Sequence, residues 1–193
     1  MESAPSLENL IASRLKSRRQ ALALTLDEAA AASGVARATI SKIERCEVSA
    51  SAAILGRLAA GLGMTMAELF ASPASHAPLI RRADQPVFVD PASGYVRRTV
   101  TPAGGGLPFD LVDVSLPAGA RVAFEIPTRG APHQAVYVLE GAVAVTHGEA
   151  THRLAAGDCL RLALDRPVAF MAADDGPARY IVAVSATAGP TRG

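Results

Sequence analysis

Cysteine is almost missing from this sequence: Cys46 and Cys159 are the two in 193 residues, too few for a disulfide framework or a zinc finger. Long apolar runs are missing as well. None approaches the roughly 20 residues of a membrane span, so no membrane partner is expected. Met1–Leu10 carries Glu2 and Glu8 but no basic residue, unlike a secretory signal, and a cytoplasmic location is the expectation. A strong charge of either sign is absent too. The formal net charge of +1 gives no overall pull towards nucleic acid, so any basic surface must be local. Half of the residues are apolar, which excludes disorder for most of the length, and 193 residues leave room for one large domain or two small ones.

Proline and glycine are scarce in one part only. Residues 1–72 hold Pro5 and four glycines, whereas residues 73–193 hold twelve of each. These residues break helices and punctuate strands and turns, so the first part reads as helical and the second as β. The boundaries expected are a helical domain over 7–71, a linker over 72–78 and a β domain over 79–188. In the first part Leu7, Leu10, Ile11 and Leu15 recur at helical spacing. Thr25-Leu26-Asp27-Glu28 is a capping box, and the alanine-rich helix it opens stops at Gly34. A third helix runs from about Ala36 to Arg45, a fourth is capped by Ser51, and Thr65-Met66-Ala67-Glu68 opens a fifth that reaches Phe70. In the second part ten short apolar stretches alternate with turns such as Pro117-Ala118-Gly119, Glu140-Gly141 and Ala156-Gly157-Asp158, indicating a double-sheet β architecture.

Two short helices joined at Gly34 have the form of a helix-turn-helix, with Ala30 as the small residue at their crossing. Val35, Ile40 and Ile43 would face the bundle, leaving Arg37, Ala38, Ser41, Lys42 and Arg45 outward. Between Ile11 and Arg45 seven basic residues stand against three acidic ones, so positive charge gathers around this helix. Leu24–Ala30, Gly34-Val35, Ile40–Arg45, Leu62-Gly63-Met64 and Leu69-Phe70 together resemble the lambda-repressor-like helix-turn-helix family, of the xenobiotic-response-element type. The resemblance implies a regulator, a repressor, that binds a double-stranded DNA operator through Thr25, Leu26, Arg37, Ala38, Thr39, Ser41, Lys42 and Arg45. It also implies that Arg19 pairs with Glu44. Cys46 stands where that family has glycine, and Ala36 where it has a capping Ser or Thr, a loss of about 1 kcal/mol. The competing reading is a bundle for protein contacts, antitoxin-like, whose arginines form a solvated face.

Residues 135–141, 154–158 and 165–170 resemble the cupin family of small double-sheet β-barrels, or jelly rolls. The fold expected is therefore α+β in two domains: a five-helix helix-turn-helix bundle and a C-terminal cupin barrel. Metal-holding cupins use paired histidines, a glutamate and a third histidine, ligands that suit iron, manganese, zinc or nickel. Aligned on Gly141, this chain has Gln134 at the glutamate position, no histidine within Pro127-Thr128-Arg129-Gly130, and Val168 at the third histidine. No metal, no other cofactor and no catalytic residue are expected, and the chain reads as a non-enzyme. His133 is the one residue that could restore a metal; His147 and His152 flank a turn and are expected in solvent. The pocket residues expected are Arg129, His133, Gln134, Tyr137 and Val168, around a small-molecule effector. The alternatives are that these groups satisfy strand ends in a domain that only dimerises, or that the chain is a cupin isomerase or oxygenase with a DNA-binding appendage. A homodimer is expected because one helix-turn-helix offers little surface for specific binding.

Overall fold

The computed structural model describes residues 6–64, 66–70, 78–101, 107–125 and 133–185. Five helices come first: α1 (Leu7–Ala21), α2 (Leu26–Ser33), α3 (Arg37–Glu44), α4 (Ala52–Gly61) and α5 (Met66–Phe70). Their starts follow from short polar side chains that accept free helical amides. Ser6 Oγ accepts from Asn9 N at 3.3 Å, Ser51 Oγ accepts from Ile54 N at 3.4 Å, and Thr25 and Glu28 make both halves of the capping box. Ala36 caps nothing. Gly34 ends α2 at φ +65, and Cys46 takes φ +57 after α3. A side chain in that left-handed region costs roughly 1–2 kcal/mol, which is the physical content of a cysteine in a glycine position. Thr65, Arg129 and most of the expected linker lie outside the described residues.

Ile11, Leu15, Val35, Ile40, Ile43, Leu55, Leu58, Leu62, Leu69 and Phe70 fill the helical core. Ala30, the small residue expected where α2 and α3 cross, is half-buried and packs against the core. A second close approach is between α4 and α2, where a Cβ on Gly61 would stand 2.8 Å from the Ser33 backbone. Only a residue without a side chain allows that crossing.

A 3-10 turn (Arg82–Asp84) leads into ten strands: β1 (Val87–Val89), β2 (Val96–Thr99), β3 (Phe109–Leu116), β4 (Arg121–Phe124), β5 (His133–Glu140), β6 (Ala142–His147), β7 (Ala150–Ala155), β8 (Cys159–Ala163), β9 (Val168–Ala172) and β10 (Ala178–Ser185). They form two antiparallel sheets, ordered β1-β2-β3-β10-β5-β8 and β4-β9-β6-β7. This is a cupin-like double-sheet fold. Among the described residues no strand pairing closes it into a barrel. Period-two alternation sends Val112, Val114, Val136, Val138 and Tyr180 of the larger sheet inward, with Val143, Val145, Val168 and Phe170 of the smaller one. Phe170 stacks on Tyr180 at 5.4 Å between centroids. Among the described residues no helix is long and apolar enough to cross a membrane.

The helices and sheets share one continuous hydrophobic cluster. Phe70 at the end of α5 meets Phe88 of β1 at 5.0 Å, and α4 lies along β4. Asp90, in the β1–β2 connection, is 3 % exposed. Its Oδ1 accepts from Ala52 N, the first amide of α4, at 2.9 Å, and its Oδ2 accepts from Ser93 N at 3.1 Å and from the Ser93 hydroxyl. A carboxylate from the β part thus helps to cap a helix of the bundle. Asp90→Ala strands a buried amide and should cost about 1–3 kcal/mol. Hydrogen exchange checks it: the Ala52 amide should exchange faster while the centre of α1 stays protected, and unchanged exchange at Ala52 would mean the cap does not form in solution.

Candidate functional site

Two features stand out as places where chemistry could occur. One is the outer face of α3. Val35, Ile40 and Ile43 are buried beneath it; Arg37, Ala38, Lys42 and Arg45 are exposed, and Thr39 and Ser41 are half-buried. Arg19 holds this helix from behind. Its Nε and Nη2 donate to Glu44 Oε1 and Oε2, each at 2.7 Å, and its Nη1 donates to the Leu24 carbonyl at 2.8 Å. The bond to Glu44 raises the Arg19 guanidinium above its ordinary value. Thr25 is exposed but engaged with Glu28, and Leu26 packs against the core.

The local positive charge is narrower than its count in the sequence. Arg14 donates to the Leu69 carbonyl at 3.0 Å, Arg18 to those of Leu62 and Gly63, and Arg57 to that of Gly34. These arginines satisfy carbonyls at helix ends, so they tie the bundle together instead of facing a ligand. Around α3, Arg37 Nε lies 3.3 Å from Asp27 and Arg45 Nε 2.6 Å from Glu47. Both are exposed pairs, weak enough to be exchanged for phosphates. Lys42 makes no ion pair among the described residues.

The second feature is a cavity of ≈120 Å³ between the two parts of the chain. The sheets supply Tyr95, Arg97, Val112, Gln134, Val168 and Phe170, among others. Gly56, Ala59, Ala60 and Met64, from α4 and the residues after it, form the facing wall, with Met66 of α5. A larger residue than Gly56 would fill the space, since a Cβ there would already be 3.2 Å from Phe124. Of the expected pocket residues, Gln134 and Val168 line the cavity. His133 and Tyr137 are exposed. Both are an odd number of positions from Gln134 on β5, so the pleat turns them to the other face. His133 N donates to Ser185 Oγ at 2.9 Å. His152 is exposed; His147 is half-buried, with its Nε2 covered and 3.1 Å from Asp165 Oδ1.

Arg97 is the group that sequence reasoning missed. It is 5 % exposed, and burial lowers its pKa from the ordinary value. Its Nη1 donates to Thr99 Oγ1 at 2.9 Å, and its guanidinium lies 4.8 Å above the Phe70 ring. Burial also pushes the neighbouring Tyr95 hydroxyl up to about 12 and Tyr180 well above its ordinary value, so both phenols are neutral. Gln134 Nε2 is buried without a partner.

The metal that cupins commonly hold does not fit these walls. Gln134 and Val168 occupy two of the ligand positions that the resemblance names, and they offer an amide and a hydrocarbon. Among the described residues no three His, Cys, Asp or Glu side chains are grouped to hold a metal ion.

Residues 15–69 match a family model described as helix-turn-helix. No curated protein matches the chain. Among solved structures it is similar to an HTH_3 family transcriptional regulator from Vibrio cholerae, at 24 % identity and TM-score 0.75, over 93 % of this chain and 97 % of that one. Looser overlays include the cupin_2 domain of an XRE family transcriptional regulator from Enterobacter cloacae (21 % identity, TM-score 0.44, 48 % of this chain and 96 % of that one). Another is hydroxypropylphosphonic acid epoxidase from S. wedmorenis (20 % identity, TM-score 0.49, 92 % and 97 %). Residues 15–69 therefore carry the pattern of the helix-turn-helix family, on a chain that shares its whole fold with the Vibrio cholerae regulator.

Proposed function

We propose that this protein is a sequence-specific DNA-binding transcriptional regulator of the cytoplasm. It acts as a homodimer, and a small effector enters its β domain. The observation that carries this reading is α3: an inner face fixed by Ile40, Ile43 and the Arg19–Glu44 pair, and an outer face of Arg37, Ala38 and Lys42 left to solvent. A helix held that way can enter a major groove without rearranging its bundle. A bundle used for protein contacts would more often present an apolar patch there.

The β domain supports a sensing role over a catalytic one. A metal-dependent isomerase or oxygenase needs ligands that leave an open position for substrate, and an amide with a valine does not supply them. A sensor needs only a difference in affinity between two states of the protein. Tyr137, 45 % exposed on the outer face of β5, is the aromatic side chain that favours that face of the larger sheet for the dimer contact.

Recovery of the DNA bound by the protein across its source genome tests the function. The recovered sites should share a sequence, and affinity for one of them should fall steeply as salt rises, as phosphate contacts require. Binding that is equal for all DNA sequences would contradict specific regulation, and no binding at low salt would turn the reading towards a protein-interaction module.

A further inference from the structure

We propose that the cavity between the helices and the sheets takes a small carboxylate with a short apolar body, its charge held by Arg97 and Gln134. This rests on the reading of that cavity as an effector site. A buried guanidinium is costly unless a counter-charge or a full set of acceptors faces it. Arg97 has neither: it makes one hydrogen bond, to Thr99, and no ion pair among the described residues. Asp110 attracts it at longer range, but that carboxylate accepts from the Thr101 hydroxyl at 3.2 Å. Glu125, also on the lining, is exposed, so its charge is solvated.

Arg97 and Gln134 line the same space, and both offer N–H donors to it. Among the described residues Thr99 is the one hydrogen-bond acceptor of the Arg97 guanidinium, and Gln134 Nε2 is buried with none. Both ask for oxygen, and the cation asks for negative charge; a carboxylate provides two acceptor oxygens and one charge. Apart from Glu125 and the Tyr95 and Tyr180 hydroxyls, the remaining lining is apolar: Val112, Val168, Phe170 and Met64 among others. A cavity of ≈120 Å³ is a little smaller than the roughly 150 Å³ that holds a benzene molecule, which leaves room for about four to six carbons.

The position of the site gives the ligand leverage on DNA binding. Phe70, against which Arg97 rests, belongs to α5, and the facing wall belongs to α4. A molecule seated there touches both halves of the chain at once, so it favours one docking of the helical bundle on the sheets over any other.

The test is calorimetric titration of the full-length protein with butyrate, pentanoate and hexanoate, and with the matching neutral amides. At least one carboxylate should bind saturably, and its amide about tenfold to hundredfold more weakly, as expected for losing a hydrogen bond to a charged partner. Arg97→Met should remove that preference by weakening the carboxylate alone. The comparison within the wild-type protein stands even if the variant does not fold. Amides that bind as tightly as the acids would overturn the anionic ligand while keeping an effector site. No binding by either series would overturn the ligand class and the effector reading of this cavity together.

Discussion

Glu44→Ala should destabilise the helical bundle by about 3 kcal/mol, near the lower end for breaking a covered ion pair. The side chains of Arg19 and Glu44 are 13 % and 7 % exposed, so removing the carboxylate leaves a guanidinium that water reaches poorly. Against a total stability of roughly 5–15 kcal/mol for a domain, that loss is large. The pair joins α1 to the last turn of α3, so DNA affinity should fall with stability although Glu44 itself faces away from DNA. A paired replacement by apolar residues, Arg19→Met with Glu44→Leu, should restore most of the stability, because a covered pair rarely exceeds packed hydrocarbon in net value. Urea unfolding of the three proteins checks this. A loss below about 1 kcal/mol, typical of surface pairs, would show the bridge to be ornamental.

Arg37→Ala should do the opposite: leave unfolding unchanged and weaken operator binding. Arg37 is 61 % exposed and pairs only with Asp27, itself 78 % exposed. Such a pair contributes little to the fold, and DNA must displace it. If Arg37 then takes a base edge or a nearby phosphate, its loss should cost about tenfold or more in affinity for the native site and relax the preference at one base position. Asp27→Asn, which releases Arg37 in the free protein, should leave operator affinity equal or higher. Titration of both variants against specific and scrambled DNA distinguishes the outcomes. Arg37→Ala with wild-type affinity and selectivity would place the reading surface elsewhere than α3.

The two substitutions separate what a sequence conveys well from what it conveys poorly. All five helices and ten strands were legible because many boundaries carry local chemistry: Thr25 with Glu28, Ser51, Gly34, Gly141 and Gly148 act within a few residues of themselves. Gly141 shows how strict that can be, since a Cβ there would stand 2.1 Å from the Pro177 carbonyl. Gln134 and Val168 were legible through the cupin resemblance, and both line the cavity. The alternation of β5 separates Gln134 from His133 and Tyr137.

What was not legible depends on packing between distant segments. Nothing near Arg97 marks it as buried; it sits on a four-residue strand beside another arginine, Arg98, and two adjacent arginines read as solvated surface. It is covered because α5 brings Phe70 over it. The helical wall of the cavity is equally silent in the sequence, where Gly56, Ala59 and Ala60 look like ordinary small helix residues. Arg14 and Arg18 read as a basic face, yet each reaches a carbonyl more than forty positions away. Long side chains declare their charge in the sequence but not their destination.

A footprint of the full-length protein on one recovered genomic site shows whether two copies of α3 read an operator together. The account predicts two protected half-sites whose centres lie about one helical turn apart, roughly 34 Å, with protection lost at the same positions in both halves for Arg37→Ala. A single protected half-site, or even coverage without boundaries, would contradict it.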